Sequence, residues 1–259
     1  MPQLDVAITG AAGRIGSVLR AGLDPDRFRL RLIDSAPIDD PAGDVHRADL
    51  RDRAATVAAL DGVDAIVHLA ALPDEMSFAE IHERNVVTTY NVYEAARLTG
   101  ARRVVFASSV HVSGFLPWGR TTSPADPPRP DTFYGLSKLW GEALGGMYAD
   151  RHGLEVVNLR IGGFAEEPGQ PAFLWCWLSP GDAVRLVTAA LTASDVGVVT
   201  CYGISRNQRR FYTEDGWAAI GYEPLDDAER FAHRWPGAAP PAFQGMEFTD
   251  PGYTGDPDG

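Results

Sequence analysis

Tyr134 and Lys138 stand four residues apart in TFYGLSKLWGE, residues 132–142, a stretch with helical patterning, so both side chains share one face of a helix. A phenol beside an ammonium is an acid–base pair, because the positive charge favours phenolate and draws the hydroxyl pKa down from about 10 toward the working range. Lys138 is the only lysine among 23 basic residues. Its retention in an otherwise all-arginine set points to a need for a compact ammonium that a planar guanidinium does not meet. Ser109 follows the apolar run VVFA and puts a hydroxyl at the carboxyl end of a strand, where it holds a reacting oxygen beside Tyr134. Ser108 is its rival, since neighbours on a strand face opposite ways, and a hydroxyl that merely caps the strand end is the plain alternative. His111 is a candidate substrate contact, or else a structural turn histidine.

These groups need a partner that carries redox equivalents, and the N-terminus supplies a place for one. Gly10, Gly13 and Gly16 form GxxGxxG directly after the apolar run Leu4–Thr9 and before a helical pattern containing Arg14 and Ile15. Glycines there permit a tight turn and close approach of a pyrophosphate to a helix N-terminus. Asp34, 18 residues past Gly16 at the end of the second strand, is placed to accept from the adenosine ribose hydroxyls and to repel a 2′-phosphate. NAD is therefore favoured over NADP, with Arg14 the dissenting residue because a guanidinium can pair with that phosphate. Asp49 and Leu50 are expected at the adenine edge, and Leu69, Ala70 and Ala71 after His68 let a cofactor pass the backbone. Tyr134 and Lys138 complete the cofactor set, the ammonium reaching the nicotinamide ribose.

The elements that must position these residues alternate. Strands are expected at Leu4–Thr9, Arg29–Ile33, Ala65–Leu69, Arg103–Ala107 and Glu155–Leu159, with helices at Ile15–Leu23, Ala54–Leu60, Phe78–Leu98 and Thr132–Arg151. That is an α/β chain with a doubly wound parallel sheet of the Rossmann type. Residues 1–160 form the dinucleotide-binding domain with the catalytic helix. Residues 161–259 form a small substrate lobe and arm interleaved with it, including a helix near Asp182–Leu191 and a strand near Val198–Tyr202. The last 24 residues, with five Pro and five Gly, read as an extended arm suited to subunit contact.

Composition removes other classes. A net charge of −12 repels phosphate backbones and anionic headgroups, so nucleic acid and membranes are not expected partners. The two cysteines form no CxxC and no metal-ligand spacing is present, so no metal is expected. With no leader pattern at the N-terminus, a cytoplasmic protein acting on a small-molecule substrate is expected. The long helices carry apolar faces that suit a homodimer or higher homo-oligomer.

Together TGAAGRIG, Asp34, HLAA, Asn85 with NVYEAA, FASSVH and YGLSK resemble the extended short-chain dehydrogenases/reductases, the NAD-dependent epimerase/dehydratase family. The stretches MSFAEIHERNVVTTYNVYEAAR, RPDTFYGLSKLWGE, LRIGGFAEEP, GYEPLDDAERF and FQGMEF are similar to uronate dehydrogenases, which oxidise C1 of a uronic acid with NAD. The resemblance implies a catalytic Ser109, Tyr134 and Lys138 and substrate positions at Pro73, Val110, Gly163 and Ala172, to which the reading of the residues adds Ser109, His111 and Trp175. Four of these depart from the family: Pro73 and Gly163 stand for Ser, Val110 for Asn, and Ala172 for a carboxylate-binding Arg. Loss of that Arg removes several kcal/mol of recognition for a carboxylate, on the order of 2–5. With Phe173, Trp175 and Trp177 nearby, the substrate is expected to be less polar, or a sugar ring stacked on indole, unless the tryptophans are lobe core. A nucleotide-sugar epimerase or dehydratase, and a silent NAD-sensing regulator, are the other readings. Val110 and His111 replace the Asp-Glu pair that the dehydratases carry.

Overall fold

The computed structural model describes residues 3–40, 43–250 and 253. From the N-terminus run β1 (Leu4–Thr9), α1 (Arg14–Gly22), β2 (Phe28–Asp34), β3 (Asp44–Arg47), α2 (Arg53–Leu60) and β4 (Ala65–His68). Then follow α3 (Phe78–Ile81), α4 (Thr88–Thr99), β5 (Arg103–Ser109), α5 (Phe133–His152), β6 (Glu155–Ile161) and the two-residue β7 (Gly163–Phe164). α6 (Phe173–Cys176), β8 (Trp177–Leu178), α7 (Pro180–Thr192), β9 (Val198–Gly203) and α8 (Trp217–Ile220) complete the order. Seven strands form one parallel sheet in the order β3-β2-β1-β4-β5-β6-β9, and β7 pairs with β8 separately. The chain winds outward from β1 and then returns to β4, so a crevice opens at the carboxyl ends of β1 and β4.

Alternation along the strands makes two cores. Val6, Ile8, Val67 and Val105 pack with Leu19 and Leu186 on the α1 and α7 side. Ala7, Ile66, Val104 and Phe106 pack with Val92, Tyr93 and Tyr148 on the α4 and α5 side. Arg103, fully buried at the start of β5, is tolerated because Glu155 and the carbonyls of Ala190, Leu191 and Ala193 take its donors at 2.6–2.9 Å.

Two expectations change in detail. The helix from Phe78 is interrupted at His82–Val87 by π-type turns, which put Asn85 inward, where its amide pairs with both Leu72 backbone groups and with Ser137 Oγ. Part of the segment read as an extended arm, residues 243–250, is anchored on the body. Gln244 is buried and donates to Thr122 Oγ1 at 2.7 Å, and a 3₁₀ turn at Met246–Thr249 carries Phe248 onto His111 with ring centroids 4.2 Å apart. Isolated Gln and Phe anchors dominate here over the Pro and Gly composition; residues 251–252 and 254–259 lie outside the described residues. Trp177 is core: it is fully buried and donates to the Ala165 carbonyl at 2.8 Å. No helix among the described residues is long and apolar enough to cross a membrane.

Candidate active site

The crevice holds two adjoining cavities of about 230 and 260 Å³ that share Gly10, Gly13, Leu69 and Ala71. The outer one is lined by Asp34, Asp49, Leu50 and Ala70, the inner one by Arg14, Ile15, Gly16, Ser109, Tyr134 and Lys138. Every residue the motifs assigned to a dinucleotide therefore lies along one groove. Gly10 has φ +72, and a Cβ there would come within 2.8 Å of the Ala70 nitrogen, so the β1 and β4 loops can touch only through glycine. No side chain caps α1, which leaves its first-turn N–H groups for phosphate oxygens.

Asp34 is fixed at the far end. Its two carboxylate oxygens accept from Ala12 N and Ala36 N, both at 2.9 Å, which aims the remaining lone pairs at the groove. Arg14 lines only the inner cavity, away from the Asp34 end, and Arg51 gives its guanidinium to Asp49 at 2.6–3.0 Å. The groove thus fits NAD.

At the inner end Lys138 Nζ donates to the Ala107 carbonyl at 2.8 Å and lies 5.6 Å from the Tyr134 ring centroid. Burial lowers the Lys138 ammonium to about 7. Burial likewise pushes the Tyr134 phenol up to about 12, against the pull of a hydrogen bond from Ser109. Each charge is costly alone in this dry site, so phenolate and ammonium are favourable chiefly together.

Ser108, the rival hydroxyl, donates to Glu142 instead, and Glu142 pairs with Arg160 at 2.8–2.9 Å beneath the site. Glu142 repeats the four-residue spacing of Tyr134 and Lys138 and ties α5 to β6. Glu75 accepts from the backbone N–H groups of Phe133 and Tyr134 at 3.1 and 2.7 Å, capping α5 where Tyr134 begins it. Neither role was visible in the spacing alone, although Glu142 was in register to suggest one.

Of the substrate set, Pro73, Ser109, Val110 and His111 line the inner cavity, joined by Phe164 and Met246. Gly163, Ala172 and Trp175 do not. A Cβ on Gly163 would meet the Phe173 ring at 2.6 Å, so an aromatic ring fills the space of a larger residue. Ala172 lines two depressions outside the inner cavity, and Trp175 only the one near Trp235.

Residues 6–164 match the NAD dependent epimerase/dehydratase family. The chain is 40% identical to the uronate dehydrogenase of Pseudomonas syringae pv. tomato, the match covering 96% of this chain and 94% of that one. It is 39% identical to the L-arabinose 1-dehydrogenase (NAD(P)(+)) of Haloferax volcanii, over 86% and 97% of the two chains. The crystal structure of uronate dehydrogenase from Agrobacterium tumefaciens superposes with a TM-score of 0.90 at 37% identity, covering 96% of this chain and 97% of that one. With its glycine loop, Asp34 in the groove and Ser109, Tyr134 and Lys138 at the inner end of a matching fold, the chain belongs to the NAD-dependent epimerase/dehydratase family, the extended short-chain dehydrogenases/reductases.

Proposed function

We propose that this NAD-dependent oxidoreductase oxidises the anomeric hydroxyl of a neutral aldose to the lactone. The observation that carries the reading is the lining of the inner cavity beyond the glycine loop. Tyr134 and Ser109 offer a proton acceptor and a hydroxyl, while Pro73, Val110, Phe164 and Met246 offer no cation for a carboxylate; of the basic groups in the same lining, Arg14 stands in the glycine loop, Lys138 is held by the Ala107 carbonyl and His111 is already paired with Asp131. One relative bears on it too, since the protein 39% identical from Haloferax volcanii is named for L-arabinose, an aldose without a carboxylate.

NAD, when bound, supplies the ring that takes hydride from C1. The chain's own residues manage the proton. Ser109 Oγ donates to the reacting oxygen and holds it at Tyr134. The Tyr134 oxygen takes the hydroxyl proton as the C–O bond gains double-bond character. Lys138 stabilises the phenolate form of Tyr134, and its hold on Ala107 O keeps the ammonium at the floor of the cavity. Leu69, Ala71 and Ile161 exclude water from the same end.

We also propose that 1–160 bind the cofactor while 161–259 complete the substrate side, and that the protein is a cytoplasmic homodimer. Exposed Phe78, Tyr90, Phe133, Leu136 and Met147 on α3, α4 and α5 support the dimer, and two free buried cysteines agree with a reducing compartment.

The test is NADH formation by absorbance with neutral aldopentoses and aldohexoses against glucuronate and galacturonate. Neutral aldoses are expected to give at least about thirtyfold higher kcat/KM, the cost of about 2 kcal/mol for an unpaired carboxylate. Preference for the uronates would overturn the reading.

A further inference from the structure

Met246 is one of two non-glycine residues among those described with a left-handed backbone, at φ +57, and it is buried at 7% exposure. A bulky side chain rarely adopts this conformation unless its surroundings impose it. The cause is on its N-terminal side. Gly245 donates to the Gly114 carbonyl at 2.8 Å, and a Cβ on Gly245 would lie 2.0 Å from an Asp131 carboxylate oxygen. The chain must press against that carboxylate and then turn sharply, and the turn falls on Met246. It does not fall on a glycine, although glycine would relieve it.

The side chain stands between two spaces. Met246 alone, among the described residues, lines both the inner cavity with Tyr134 and His111 and an open depression of about 420 Å³ bounded by Ala172, Pro240, Phe243, Glu247 and Asp250. The outer space is more than large enough for another sugar ring, and its acidic, amphipathic lining suits neutral hydroxyls rather than anions. We propose that Met246 is a specificity-determining wall: held in a strained backbone, it confines the reaction cavity to one sugar ring and shuts off the outer depression. This deepens the aldose reading and rests on it for the identity of the substrate.

The test compares Met246→Gly and Met246→Ala with the parent on an aldohexose and on reducing disaccharides with a free anomeric hydroxyl. In Met246→Gly the ratio of kcat/KM for disaccharide over aldohexose is expected to rise at least about tenfold, with NAD affinity unchanged. A ratio that stays put in a folded variant overturns the wall. A second arm needs no substrate: Met246→Gly is expected to melt at or above Met246→Ala, the reverse of the usual order, because only glycine is at ease at positive φ. If Met246→Ala is the more stable, the strain is absent and the proposal fails. Should no aldose be turned over by the parent, the aldose reading fails on its own, while the melting order still decides for or against Met246.

Discussion

His111 Nδ1 lies 2.7 Å from an Asp131 carboxylate oxygen whose side chain is wholly buried, while the imidazole keeps 12% exposure toward the inner cavity. Gly114, Gly135 and Gly245 crowd the same carboxylate, so no larger residue fits at those points. With the Asp131 carboxylate as acceptor, Nδ1 is the donating nitrogen, and Nε2 remains for another partner.

Asp131→Asn keeps the shape and removes the charge. It is expected to lower kcat/KM by roughly thirtyfold, about 2 kcal/mol for a charged hydrogen bond, mostly through KM. Steady-state kinetics check this, with NAD affinity as the control. An unchanged KM would mean that His111 does not touch substrate.

Lys138 gives a prediction about stability. Its folded pKa of about 7 lies below the ordinary 10.5, so the unfolded chain holds a proton that the fold rejects. The resulting penalty is absent above pH 10.5, grows as pH falls, and is complete below about 7. Lys138→Met is therefore expected to abolish turnover yet raise Tm at pH 7, by roughly 3–6 °C once the lost Ala107 bond is subtracted. The gain should vanish near pH 10.5. Calorimetric scans across that range would show it, and a lower Tm at neutral pH would mean the ammonium is well solvated.

Asp34→Asn tests the cofactor end. The amide keeps one of the two acceptors that Ala12 N and Ala36 N use and loses the repulsion toward a 2′-phosphate, so the ratio of KM for NADP over NAD should fall about tenfold or more. No change in that ratio would shift the discrimination to Arg51 or Arg84, which line the same cavity.

The sheet and the groove were legible because they rest on local patterns. Short continuous apolar runs such as VVFA, alternating with helical patterns, suit buried strands of a parallel sheet, and the glycine loop after the first of them suits a phosphate. The substrate wall was not legible. Met246, Phe248 and Gln244 reach the site through contacts with residues more than a hundred positions away, which leave no period in the sequence. Gly163 stands where the family pattern has Ser, and nothing in the sequence signals that the Phe173 ring occupies the space beside it. The π-type turns at Asn85 escaped because one extra residue in a helix does not disturb its apolar pattern over two turns.

Having a single lysine also makes the protein self-reporting. With burial drawing the Lys138 ammonium down to about 7, the protein's one amine side chain becomes a nucleophile at mildly alkaline pH. Small acylating or carbamoylating reagents that spare the terminal amine thus modify one position, at the floor of the reaction cavity and under the ribose site. Blocking by bound NAD converts that modification into a direct count of working sites, without any knowledge of the substrate.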